Sequence, residues 1–191
     1  MSLVMPKKHR RMLTCFFLLV PLWTGASHAA TAATEDEVRA AFLFQLAQYV
    51  NWPADAGRPA NAALRFCVLG QDQLTATLEP TVRKKLIQGR AVSVRRVAEH
   101  SQFSECDLAF IGFQSEKQVK ATLAAAHFPG VLIVGEMEHF AQMGGMVNLV
   151  IRSGRVAFEI NTAAAEKEHL EFRSQLLRFA RLVGTDREGR R

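Results

Sequence analysis

Asp107-Leu108-Ala109-Phe110-Ile111-Gly112, then the helical pattern Glu116 to His127, then Val131-Leu132-Ile133-Val134, is the stretch on which the fold turns. Two short, uninterrupted apolar runs separated by an amphipathic helix form a strand–helix–strand unit. Apolar residues at every position mark strands buried on both faces, as in a parallel sheet covered by helices. Upstream the pattern repeats. Leu64-Arg65-Phe66-Cys67-Val68-Leu69 reads as a strand, Asp72 to about Leu86 as a helix broken at Pro80, and Ala91 to Val97 as a further strand. Right-handed crossovers between such strands give a parallel sheet with helices on both sides.

Downstream the pattern changes. Met146 to Ile151 and Arg155 to Ile160 are strands joined only by Arg152-Ser153-Gly154, a connection that allows nothing but an antiparallel hairpin. A last helix is expected over Ala163 to Val183, with Phe172, Leu176, Phe179, Ala180 and Val183 on one face, and residues 186–191 are expected to fray. At the other end, Thr34 and Glu37 form a capping box that opens a helix. Its apolar set is Val38, Ala41, Phe42, Leu46, Tyr49 and Val50, broadened by Leu43, Phe44 and Ala47, and Asn51-Trp52-Pro53 stops it. Residues 54–63 read as a loop. The expected fold is therefore α/β: a Rossmann-like three-layer sandwich with a mixed, mostly parallel sheet, a C-terminal antiparallel hairpin and a final helix.

The chain has 191 residues, 49% hydrophobic and 22% charged, which is globular composition. Its formal charge of +6 is not evenly placed. Lys7, Lys8, Arg10 and Arg11 precede an apolar run of about twelve residues, Met12 to Trp23, which is followed by a small-residue stretch that includes Ser27-His28-Ala29. This reads as a cleavable signal peptide over residues 1–29, because the run is shorter than the roughly 20 residues a spanning helix needs and Pro21 lies inside it. Cys15 stands at the start of the apolar run, not at its end, which argues against a lipoprotein signal. The remaining 162 residues carry 20 basic and 18 acidic side chains, a net charge of +2, so a nucleic-acid partner is not expected. The expected organisation is one domain over residues 30–184, exported beyond the inner membrane, with residues 185–191 as a tail.

Two cysteines stay in the mature chain, Cys67 and Cys106. An even pair in an oxidising compartment suggests one disulfide, two buried free thiols being the alternative. A bridge would close a loop of 40 residues, for which chain entropy gives about 4 kcal/mol as an upper value.

No catalytic set stands out. His100, His127, His139 and His169 have no metal-ligand spacing, no G-x-S-x-G occurs, and Gly70 after its strand lacks the partners of a phosphate loop. The crevice at the strand ends, near Gly70, Gly112 and Gly135, is where a doubly wound sheet would take a small solute. Glu159 is unusual: it sits within Val156-Ala157-Phe158-Glu159-Ile160-Asn161, on the face shared with Ala157 and Asn161. It reads either as protection of a sheet edge or as a polar recognition point.

The set Ala41-Phe42-Leu43-Phe44, Tyr49-Val50-Asn51-Trp52-Pro53, Phe66-Cys67-Val68-Leu69-Gly70, Cys106-Asp107-Leu108-Ala109-Phe110-Ile111-Gly112, Gly144-Gly145-Met146-Val147-Asn148-Leu149 and Arg155-Val156-Ala157-Phe158-Glu159-Ile160-Asn161 resembles the YfiR family of periplasmic proteins. The resemblance covers nearly all of the mature chain in order. It implies a regulatory protein without catalysis or cofactor, which represses an inner-membrane diguanylate cyclase of the YfiN type through the cyclase's periplasmic sensor region. An outer-membrane lipoprotein of the YfiB type would then sequester the repressor and so raise cyclic di-GMP and biofilm formation. It also implies a homodimer and a Cys67–Cys106 disulfide. A second cysteine pair of the family is missing, the matching stretch being Ala141 to Asn148. Glu159, Gln142, Lys167 and Asn161 fall where the family's partner surface would lie. A small-solute-sensing module is the alternative reading.

Overall fold

Strand β2 (Leu64–Leu69), β5 (Leu108–Ile111) and β6 (Leu132–Gly135) lie side by side at the centre of one eight-stranded sheet, and the apolar runs explain why. Every residue of β5 and β6 is buried, and every residue of β2 except Arg65. The computed structural model describes residues 33–53, 59, 61–125, 127–152 and 155–184. The expected signal peptide, the hairpin turn Ser153-Gly154, the tail from residue 185 and most of the 54–63 loop lie outside the described residues.

In chain order the structure runs α1 (Glu35–Gln48), β1 (Val50–Asn51), β2, α2 (Asp72–Val82), β3 (Leu86–Ile87), β4 (Arg90–Val97), a 3-10 turn over His100–Glu105, β5, α3 (Glu116–Ala124) and β6. It continues with β7 (Val147–Arg152), β8 (Arg155–Asn161), α4 (Thr162–Lys167), β9 (Glu171–Phe172), α5 (Ser174–Leu177) and β10 (Arg181–Val183). The sheet order is β10-β8-β7-β6-β5-β2-β4-β3. The pairs β4-β2, β2-β5, β5-β6 and β6-β7 are parallel, β7-β8 and β3-β4 antiparallel, and β10 runs parallel to β8. Numbered among themselves, the five central parallel strands follow the doubly wound order 2-1-3-4-5. Because the winding reverses between β2 and β5, right-handed crossovers place α2 and α3 on opposite faces. α1 packs beside α2. The mixed, mostly parallel α/β fold expected from the sequence is what forms.

α1 begins as its residues dictate. Thr34 Oγ1 accepts the amide of Glu37, and the Glu37 carboxylate accepts the amide of Thr34. Its buried stripe is Ala40, Leu43, Leu46 and Ala47, turned by about one residue from the expected set. Ala41 is exposed and Phe42 only half-buried, its ring 5.2 Å from that of Phe158 on β8. The helix also stops earlier than expected: Val50 and Asn51 leave it to pair with Phe172 and Glu171 of β9.

Two further expectations are corrected. Pro80 does not break α2, which runs through it to Val82. Leu74, Leu78 and Val82 are buried along one face on either side of the proline, and that burial carries the helix over the missing amide. The segment from Ala163 to Val183 is not one helix. α4 ends at Lys167 with Glu168 as its cap, His169 takes a left-handed backbone at φ +61°, and Leu170 drops fully into the core. β9 then pairs with β1, and β10 adds to the sheet beside β8. The periodic set that suggested a helix is divided: Leu176 is buried while Phe179 is 81% exposed. Pairing with distant strands has overridden local helical preference.

Candidate functional site

The disulfide forms between Cys67 on β2 and Cys106 just ahead of β5, with Cα atoms 6.0 Å apart and both residues buried. Parallel pairing of β2 with β5, in register from Phe66↔Leu108, brings the two positions together. Arg95, the β4 partner of Cys67, lays its guanidinium alongside, with Nε 3.4 Å from Cys67 Sγ, and pairs with Glu105 at 2.7 Å.

At the strand ends the three glycines are closely packed by this chain's own side chains. Gly70 has a φ of +86°, and a Cβ there would come within 2.7 Å of the Phe113 ring. A Cβ on Gly112 would run into the Gln71 side chain, and one on Gly135 into Phe140. These glycines thus make room for Phe113, Gln71 and Phe140.

Beside that plug lies a polar network absent from any sequence motif. Arg39 on α1 donates from Nε to Glu136 at 2.5 Å, from Nη1 to Asp36 at 2.9 Å and from Nη2 to Glu35 at 2.9 Å. The second Glu136 oxygen accepts from Gln71 Nε2 at 2.7 Å. Burial works against the Arg39 charge, but the hydrogen bond and charge of Glu136, aided by Asp36 and Glu35, outweigh it and hold its pKa above the ordinary value. The network fastens α1 to the carboxyl end of β6.

On the opposite face, three of the four expected surface residues meet. Gln142, Asn161 and Lys167 line one cavity of about 440 Å³ with Phe128 and Met143 as apolar wall. Gln142 and Lys167 are exposed. Asn161 is mostly committed to structure: its Oδ1 caps α4 by accepting from the Ala164 amide, and its Nδ2 donates to Ala141 O at 2.8 Å. Glu159 does not line that cavity. It sits mid-strand on β8, where it pairs with Arg181 of β10 and accepts from Asn148 Nδ2 at 3.3 Å. Its side chain is 13% exposed, so a carboxylate that read as edge protection faces a strand added at that edge.

Among the described residues no helix is long and apolar enough to cross a membrane, and no three His, Cys, Asp or Glu residues gather as metal ligands.

A family model described as YfiR/HmsC-like matches residues 36–181. Among solved structures, a conserved domain protein from Vibrio cholerae is similar at a TM-score of 0.51 and 11% identity over 80% of this chain. This chain covers 61% of that protein's length, and the likeness speaks for the α/β fold alone. The ABC domain of a Streptococcus protein, solved with L-Trp, aligns at a TM-score of 0.40 and 12% identity, over 63% of this chain and 55% of that one.

Proposed function

Because the chain belongs to the YfiR/HmsC-like family, we propose that it is a periplasmic regulator of cyclic di-GMP signalling which binds and represses the periplasmic sensor region of an inner-membrane diguanylate cyclase. The observation that carries this reading is the family match across almost the whole α/β unit. The protein acts by binding, not by chemistry: it favours the inactive state of the cyclase sensor, and an outer-membrane lipoprotein competes for it and so releases the enzyme. Output then follows differential affinity for two states. The contact surface is the C-terminal flank, centred on Gln142 and Lys167 with Glu159 beside them, and the working form is a homodimer.

Supporting the choice of surface, Gln142 and Lys167 are exposed at the mouth of one cavity, and Glu159 lies on the strand that leads into it. The test is intracellular cyclic di-GMP after deletion of the gene, with restoration by the full chain and by a form lacking residues 1–29. A rise on deletion that only the full chain reverses is the expected result. A rise reversed equally by both forms would refute action from the periplasm, and no rise would refute repression.

A further inference from the structure

β6 and β7 pair at only two positions, Val134↔Val147 and Gly135↔Asn148, because β6 stops at Gly135. β7 runs on to Arg152, paired along its whole length with β8 on the other side. Beyond Asn148, therefore, the β6-facing edge of β7 has no strand against it among the described residues. Alternate residues of a strand direct their backbone N–H and C=O to such an edge. Sheet edges left open are normally short or guarded by charge. The outer strands β3 and β10 are two and three residues long; the open stretch of β7, Leu149-Val150-Ile151, is as short but carries no charge and lies within the sheet.

In place of a strand there is a cavity of about 280 Å³, lined by these three residues with Arg39, Glu136 and Glu138 across from them. Its charge is negative. Arg39 is already engaged by Glu35, Asp36 and Glu136. Glu138 is 80% exposed, and the ion partner it has is His139 at 3.8 Å. Asn148 also lines the cavity: it is 2% exposed, and its Oδ1 has no hydrogen-bond partner among the described residues. The site offers strand-edge backbone groups, a buried acceptor without a donor, and surplus carboxylate.

We propose that the edge of β7 over residues 149–151 is a docking site for an extended, basic segment of a partner protein, which adds as a strand where β6 ends. Backbone pairing supplies the affinity, and alternate side chains supply the choice of segment. A Lys or Arg on the segment meets Glu138, and its amides meet the β7 carbonyls. The inference does not rest on the family reading and stands or falls apart from it.

The test uses the mature protein, isotope-labelled for NMR, and three blocked hexapeptides: alternating valine and lysine, the same peptide with alternate amides N-methylated, and alternating valine and glutamate. The first is expected to shift the amides of residues 149–151 and slow their exchange. N-methylation should weaken binding about tenfold or more, since it removes the donors that pair with the strand edge. The glutamate peptide and the variant Glu138→Lys should each lose several-fold in affinity, roughly as one or two unfavourable rim charges do. Glu138 is exposed, so that variant keeps its fold. Equal binding of the N-methylated peptide would overturn the proposal, as would shifts that map elsewhere or no shift at residues 149–151 with millimolar peptide.

Discussion

On one side of β6, strands β5 and β2 are buried at all but one position and a disulfide joins their approaches; on the other, β8 is exposed over its first three residues and β10 over its first two. Of the five large exposed apolar side chains among the described residues, Val156, Phe179 and Leu182 lie on the second flank, at 42%, 81% and 45% exposed, while Leu86 of β3, at 57%, is on the first and Tyr49 ends α1. Folding free energy follows apolar area removed from water, so it resides mainly in the β2–β5–β6 half. The β8–β10 flank joins the core through Ile160, Leu170 and Leu176 and is otherwise held by ladder hydrogen bonds and the Glu159–Arg181 ion pair. Such a flank can present contacts and change them without endangering the fold.

The comparison can be broken by substitution. Phe110→Ala, in the middle of β5 and fully buried, should have the largest effect, a loss of about 3–5 kcal/mol in urea unfolding. Next comes the double change Cys67→Ser with Cys106→Ser, which frees the loop between β2 and β5. It should cost about 2–4 kcal/mol, and non-reducing alkylation of the parent chain should find neither thiol labelled. A cost under half a kilocalorie there would mean that the half with the buried strands does not depend on its bridge.

On the C-terminal flank the effects should be smaller. Glu159→Gln weakens the pair with Arg181, whose side chain is 68% exposed, so a double-mutant cycle with Arg181→Ala should give a coupling of about 0.5–1 kcal/mol. Phe179→Ser should change stability by less than about 0.5 kcal/mol, because the ring is already in water. If Phe179→Ser cost as much as Phe110→Ala, the division between the two flanks would be wrong.

The central strands were legible because burial on both faces writes an unbroken apolar run, and the hairpin because its connection is too short for anything else. The Thr34–Glu37 capping box was legible for the same reason: its partners are three residues apart. The final segment reads as a helix because Phe172, Leu176, Phe179 and Val183 keep a helical spacing, while β9 pairs with β1 far upstream and β10 with the nearer β8. The Arg39–Glu136–Gln71 network escaped notice because its members lie 97 and 65 residues apart. At Gly70 and Gly112 the absence of a side chain leaves room for Phe113 and Gln71, neighbours that no spacing in the sequence announces. Gln142, Asn161 and Lys167 do meet at one cavity, yet Asn161 is taken up by capping α4.

The central claim, that recognition belongs to the C-terminal flank and stability to the disulfide-bridged half, is tested most directly by amide hydrogen exchange of the mature protein with and without the periplasmic region of the cyclase proposed as its partner. New protection over Gln142 to Gly145 and over Glu159 to Lys167, with β2 and β5 unchanged, is the predicted result. Protection confined to β4, the 3-10 turn and the Cys67–Cys106 region would contradict it.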